Sequence, residues 1–439
     1  MPMRTVRAFV RDNPGRWLWT AAVFSLAALL PEYVFPVLCF AAYIMTLRGA
    51  HVPFAPTEKL AFAFYWWLLC GVLYSGSRVS ALATLALWGF FYLGWRAAMH
   101  TVDTAPKLDA VLFGGALCGG AAGGIGILQM VLFHYGAYIA KPLKTCLNPF
   151  WHLLDSGVAG LAVRLWPQRL MPMLQRTDFI AIRDRASGTF TNPVFFAAFL
   201  CMMAPLCAYG VFWFRGRARR LVSLLCMGLT LGGIACSYSR GPYLALAVVF
   251  AVLLFYGRKA AWKLLCALAV GAAAMAVAAG GVFRRLLTLF HPEDISVNTH
   301  AQIWRACFDL LRGHWLFGYG TGVDNVRRAL HETYSIEQPH AHNILLELLL
   351  ENGVIGAALF CGVLLLLAVR LVLLARRGGK ARGAAVTLLA SVAGFCACGM
   401  TDDLFYGLKP LCCFLLLLGL SECAVRVYAP ADEDDGGAV

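Results

Sequence analysis

The sequence predicts an all-α, polytopic membrane protein with about twelve transmembrane helices. Three observations predict it. First, the 439-residue chain is 60% hydrophobic and only 14% charged, and its mean hydropathy is +0.71. A soluble domain carries about 25% charged residues. Second, apolar runs of about 20 residues, the length that crosses a bilayer, recur along most of the chain. Third, Lys and Arg gather in alternate short loops.

The runs are 17–30, 33–47, 60–75, 79–97, 108–134, 193–214, 219–236, 241–257, 261–281, 342–375, 384–400 and 407–427. Only "PEYVFP" at 31–36 separates the first two, so a single kinked helix is the alternative there. They divide the chain into a cytoplasmic N-terminus (1–16), N-terminal spans (17–134) and an extracytoplasmic loop (135–192). Central spans (193–281), a large extracytoplasmic loop (282–341), C-terminal spans (342–427) and an acidic tail (428–439) follow. The basic start "MPMRTVRAFVRDNPGR" runs straight into an apolar stretch, without a small-residue cleavage site.

Of 37 Lys and Arg residues, the short outer loops hold only Arg78, Arg240 and Lys409. The short inner loops hold clusters such as 215–220 and 376–382. This bias places both termini in the cytoplasm. The net charge of +14 is then orientation signal, and nucleic-acid binding is excluded as a reading. Sixteen cysteines are scattered, mostly in apolar runs, as small apolar filler. Cys146 and Cys307 fall in the two long loops, where a disulfide is one option.

The same bias puts the unusual polar residues on the outer side. In "RDRASGTFTNPVFFAAF" (183–199), Arg185 precedes a Ser-Gly turn, and Asn192-Pro193 opens a span with a cap and a first-turn proline. An outer arginine runs against the charge rule and presents a planar fork to phosphate. A plain helix start with basic flanks is the alternative. "SYSRGPY" (237–243) sets Arg240 in a loop of a few residues, as an anion site or as a snorkelling side chain. In "NTHAQIWRACFDLLRGHWLFGYGTGVDNV", the spacing predicts an interfacial amphipathic helix ended by a glycine turn. "GYGTG" lacks the βα unit that a nucleotide loop needs.

"PHAHNILLELLLENGVIG" (339–356) begins a span with costly polar groups. Asn343 is a candidate helix cap, and Glu347 and Glu351 continue its stripe at i+4 and i+8. Carboxylates that deep in a span are functional or paired. Gly353 and Gly356 permit a bend or close packing. His342 suits a general base, a role that imidazole fills more often than any other side chain. His340 and His342 lack a third ligand nearby in sequence, so no metal site is expected.

"HNILLELLLENGVIG", with "RASGTFTNPVFFAAFL", "SYSRG" and "WRACFDLLRGHWLFGYGTG" before it, resembles the signatures of the bacterial O-antigen ligase and polymerase superfamily. The likeness spans about 183–404 and implies a metal-independent, cofactor-free glycosyltransferase of the GT-C-like membrane type. It implies a multi-pass protein of the bacterial inner membrane, with an undecaprenyl-diphosphate-linked glycan donor and a glycan or lipid-linked acceptor on its outer side. By resemblance His342 is the catalytic base, and Arg185, Arg240, Arg305 and Asp402 bind substrate. His340, Asn343, Glu351, Gly353 and Gly356 support the site. The family tends to place an arginine a few residues before the loop tryptophan. Here His300 stands there, and Arg305 after Trp304 is the candidate substitute. Ligase and polymerase both remain open. The rival class is a lipid-linked oligosaccharide flippase, which calls for mid-span polar residues and repeated halves.

Overall fold

The computed structural model describes residues 34–46, 52–135, 185–256 and 295–429, with Phe24, Leu30, Glu32 and Ala269. Apart from Phe24, Leu30 and Ala269, the expected spans 17–30 and 261–281 lie outside these residues, as do Cys146 and the end of the acidic tail. Among the described residues the regular elements are all helical.

The helices are α1 (Val34–Thr46), α2 (Pro56–Tyr74), α3 (Arg78–Thr101), α4 (Ala105–Tyr135), α5 (Pro193–Trp213) and α6 (Arg217–Cys236). After them come α7 (Arg240–Tyr256), α8 (Ile295–His314), α9 (Val323–Tyr334), α10 (Ile344–Arg376), α11 (Gly379–Gly399) and α12 (Leu408–Val427). Six are long and apolar enough to cross a membrane: α4 as far as Val131, α5, α6, α10, α11 and α12. α1 and α7 are apolar but shorter. α5 and α12 are buried along nearly all their length and form the centre of the bundle.

Local chemistry sets the helix starts. Asn192 caps α5 by accepting from the Val194 N–H at 2.8 Å, and Pro193 occupies the first turn. At α10, Asn343 Oδ1 accepts from Leu345 and Leu346 N–H at 2.9 and 3.1 Å, while its amide donates to Met400 O. Asn343 thus both caps α10 and ties it to the end of α11.

α10 is broken at Gly353, whose φ of 63° lies in the left-handed region that favours glycine. The break strands backbone groups in an apolar setting, where each must find a partner. The turn after α8 supplies them. Tyr319 N–H donates to Leu350 O (2.7 Å), Gly320 N–H to Glu351 O (2.9 Å), and Val354 N–H to Trp315 O (2.8 Å). The Trp67 indole takes Asn352 O at 2.9 Å. A side chain at Gly318 would collide with the Glu351 backbone. The "GYGTG" sequence is therefore a plug for a broken helix. Asn325 locks the plug to the α2–α3 turn through Ser75 Oγ (2.8 Å) and the Gly320 and Thr321 carbonyls.

Candidate functional site

The polar residues converge at one end of the bundle, where the start of α10, the end of α11, the α6–α7 turn and α8 meet. His342 has φ 50°, a left-handed conformation just before the capped helix. Its Nδ1 lies 2.9 Å from Asp402 Oδ1. Because a carboxylate only accepts, Nδ1 carries the proton when the ring is neutral, and the lone pair sits on Nε2. Asp402 Oδ1 also receives the Asp403 N–H at 2.9 Å. Burial by itself would raise the Asp402 carboxyl, but the His342 hydrogen bond and charge hold it below the usual value. Burial pushes the neighbouring Asp403 up to about 7.

Two further imidazoles flank His342. His300, from α8, stacks on it with ring centres 4.8 Å apart and 18° between planes. His340 meets it edge-on at 4.2 Å and accepts the His342 N–H on Nδ1 at 3.3 Å. Burial, then the His342 charge, lowers His340 to about 4, so it stays neutral and is a weak proton acceptor. Burial lowers His300 as well. Both backbone groups of Ala341, between the two histidines, are held by side chains. The Trp304 indole donates to its carbonyl (3.0 Å), and Glu347 accepts its N–H (2.7 Å).

The arginine segments lie against this cluster. Arg185 donates from Nε to Ser237 O (3.0 Å) and from Nη2 to Ser239 Oγ (2.8 Å). Ala186 N–H donates to Cys236 O at 2.9 Å, so the "RASG" and "SYSRG" segments form one surface. Arg240 opens α7. The adjoining Gly241 packs directly on Thr401, next to Asp402, and the Arg240 charge reaches His300.

Not every expected residue joins the cluster. Arg305 is exposed on α8, whereas His300 and Trp304, one turn apart, face the site. Asp402, grouped with the substrate ligands in the sequence reading, is engaged with His342. Glu351 and Gly353 lie at the α10 break, and Gly356 packs on Trp67, so these three support the plug. Folding also supplies the third ligand that the sequence lacked near the histidines. Donor atoms of His340, His342 and Asp402 lie within 4.8 Å of one another, a set that could hold a metal ion.

Two residues act in a way the sequence reading did not assign: Gln129 was not singled out, and Lys409 was counted only as an outer-loop cation. Gln129 of α4 accepts from Ser187 N–H (3.0 Å) and Gly188 N–H (2.8 Å) and donates to Gly188 O (2.9 Å). Lys409, fully buried, donates to Thr189 O (2.8 Å) and Thr189 Oγ1 (2.9 Å) and sits 4.4 Å from the Phe190 ring centre. Both fix the loop that follows Arg185. Their signal was present: each is a lone polar residue inside an apolar run.

Residues 225–361 match the family model for O-antigen ligase. The matched stretch holds Arg240, His300, His340 and His342, while Arg185 and Asp402 lie outside it. No curated protein matches the chain. The match supports a protein of the O-antigen ligase and polymerase family, and with the long apolar helices it points to a multi-pass bacterial membrane protein.

Proposed function

We propose that the protein transfers a glycan from undecaprenyl diphosphate to an acceptor hydroxyl at the outer face of the bacterial inner membrane, with His342 as general base. The observation that carries this reading is the 2.9 Å contact of His342 Nδ1 with Asp402. It orients the imidazole so that Nε2 can accept the acceptor proton. The same carboxylate then stabilises the imidazolium, as in other carboxylate–histidine pairs. Asp402 is accordingly an orienting group. Arg185 and Arg240 offset the charge that develops on the departing diphosphate, beside low-dielectric lipid. The anomeric carbon is already activated by its leaving group, so the base and the arginines suffice and no metal is needed. In-line attack inverts the anomeric centre. The outer placement rests on the Lys and Arg bias, and labelling of Glu332→Cys from the cytoplasmic side would overturn it.

The test is transfer by the purified full-length protein in lipid, supplied with a diphosphate-linked glycan and candidate acceptors. Product is expected from the wild type, with activity retained in excess chelator. Loss of activity that a divalent ion restores would instead make His340, His342 and Asp402 a metal site. The glycan profile of a deletion strain separates the two branches: full-length unligated chains mean a ligase, and single repeat units mean a polymerase.

A further inference from the structure

A groove of about 780 Å³ runs along α9, bounded by Asp324, Arg327, Arg328 and His331 on the helix and by Glu337 and Pro339 on the irregular segment that follows. Three features bear on its use. First, it leads to the histidines. Pro339 precedes His340, and the Asp324 and Arg327 charges reach Tyr406, whose ring lies 5.2 Å from that of His340. Ring contacts thus join His300, His342, His340 and Tyr406 in a row, with the Arg240 charge acting on its His300 end and the charges of the groove on its Tyr406 end.

Second, the groove meets the cluster on a different flank from the arginines. α9 packs on α3, α8 and α10, whereas α7, which carries Arg240, packs on α5 and α11. A base that removes a proton from an attacking hydroxyl must lie between acceptor and donor, and His342 has that place in the row.

Third, the lining interleaves acids and bases. Arg327 faces Asp324 at 4.0 Å and His331 faces Glu337 at 3.1 Å, all four largely exposed apart from Asp324. Such pairs contribute little and exchange readily for other partners. A run of one sign would suit an anion or a cation. Alternating planar donors and acceptors suit a ligand that presents many hydroxyls, with Pro339 and Ile336 available to its C–H faces. The volume falls within the ~300–1,000 Å³ of ordinary ligand sites, enough for an oligosaccharide segment.

We propose that this groove binds the saccharide part of the acceptor and delivers its hydroxyl to His342. The proposal rests on the transferase reading above. It is tested by saturation-transfer NMR on the full-length protein in nanodiscs, with two probes. One is the delipidated core oligosaccharide of the producing bacterium's lipopolysaccharide, and the other is a single repeat unit of its surface polysaccharide. At least one probe should bind, and Asp324→Ala and Arg327→Ala should each weaken it about tenfold, roughly the loss of one good polar contact. Arg312→Ala, exposed on α8 outside the groove, should leave binding unchanged. Arg327→Lys should recover part of the loss. Binding of neither probe to the wild type, or equal binding to wild type and both alanine variants, would overturn the groove. A protein that binds a probe through these residues yet transfers no glycan from any diphosphate-linked donor would keep the groove and sink the transferase reading.

Discussion

The two ends of the helical bundle use their buried polar groups differently. At the end away from the histidines, cations meet carboxylates directly. Arg96 pairs with Glu58 at 3.0 Å, Arg370 with Glu422 at 2.9 Å, and Lys380 with Asp109 at 2.6 Å. Further bonds complete the set: Thr57 to Glu422, Tyr209 to Asp109, and Arg426 to the Met99 and Val102 carbonyls. These groups hold α2, α3, α4, α10, α11 and α12 together and have little capacity left for a ligand. At the histidine end, Arg185 donates to a carbonyl and a hydroxyl of the α6–α7 turn, and two imidazoles flank a half-buried His342 whose ring is held by Asp402. Charges that neutralise each other staple a fold. An imidazole held by a carboxylate can take up and release a proton.

The comparison is broken most sharply by His342→Ala. Turnover should fall about 10²- to 10⁴-fold, the usual contribution of a general base, while affinity for the carrier lipid stays nearly constant. An equal loss in carrier binding would make the residue a ligand-binding group. Arg96→Ala should do the reverse. Leaving Glu58 buried without its cation costs about 3–5 kcal/mol of stability, measurable by thermal unfolding in detergent, with turnover per folded molecule preserved.

Arg185→Ala and Arg240→Ala should fall between these. A diphosphate is charged in both ground and transition states, so carrier affinity and turnover should both weaken, by about 1.5–3 kcal/mol for each lost charged hydrogen bond. Lysine should restore only part of this, because it keeps the charge and loses the fork. Unchanged carrier affinity in both variants would remove the arginines from the donor site.

The smallest effect concerns His340, which burial lowers to about 4 from an unfolded value near 6.5. Between those values the unfolded chain binds more protons, so stability falls as the pH drops through this window. From pH 6.5 to 5.5 the loss is on the order of 1 kcal/mol. His340→Gln should flatten that slope in melting temperature against pH, with much less effect on turnover than His342→Ala. An unaltered slope would show that another group carries the acid sensitivity.

Much of this was legible in the order of residues. Hydrophobic runs reveal helices because a span must bury its backbone in its own hydrogen bonds, and ten of the twelve expected runs coincide with described helices. Asn192-Pro193 and Asn343 announced their caps because capping is local, over two or three residues. The arginine, histidine and aspartate signals were visible because polar groups at a membrane edge are costly and stand out. What the residues bind to was not visible. That Asp402 reaches His342 across 60 positions, that His300 turns inward while Arg305 turns out, and that Gln129 and Lys409 grip the loop after Arg185 depend on how helices distant in sequence pack. The "GYGTG" turn shows the division most plainly. Sequence marks it as a helix end, but its backbone partners are the groups stranded at Gly353, and a broken ladder finds its partners only once α8 and α10 lie side by side.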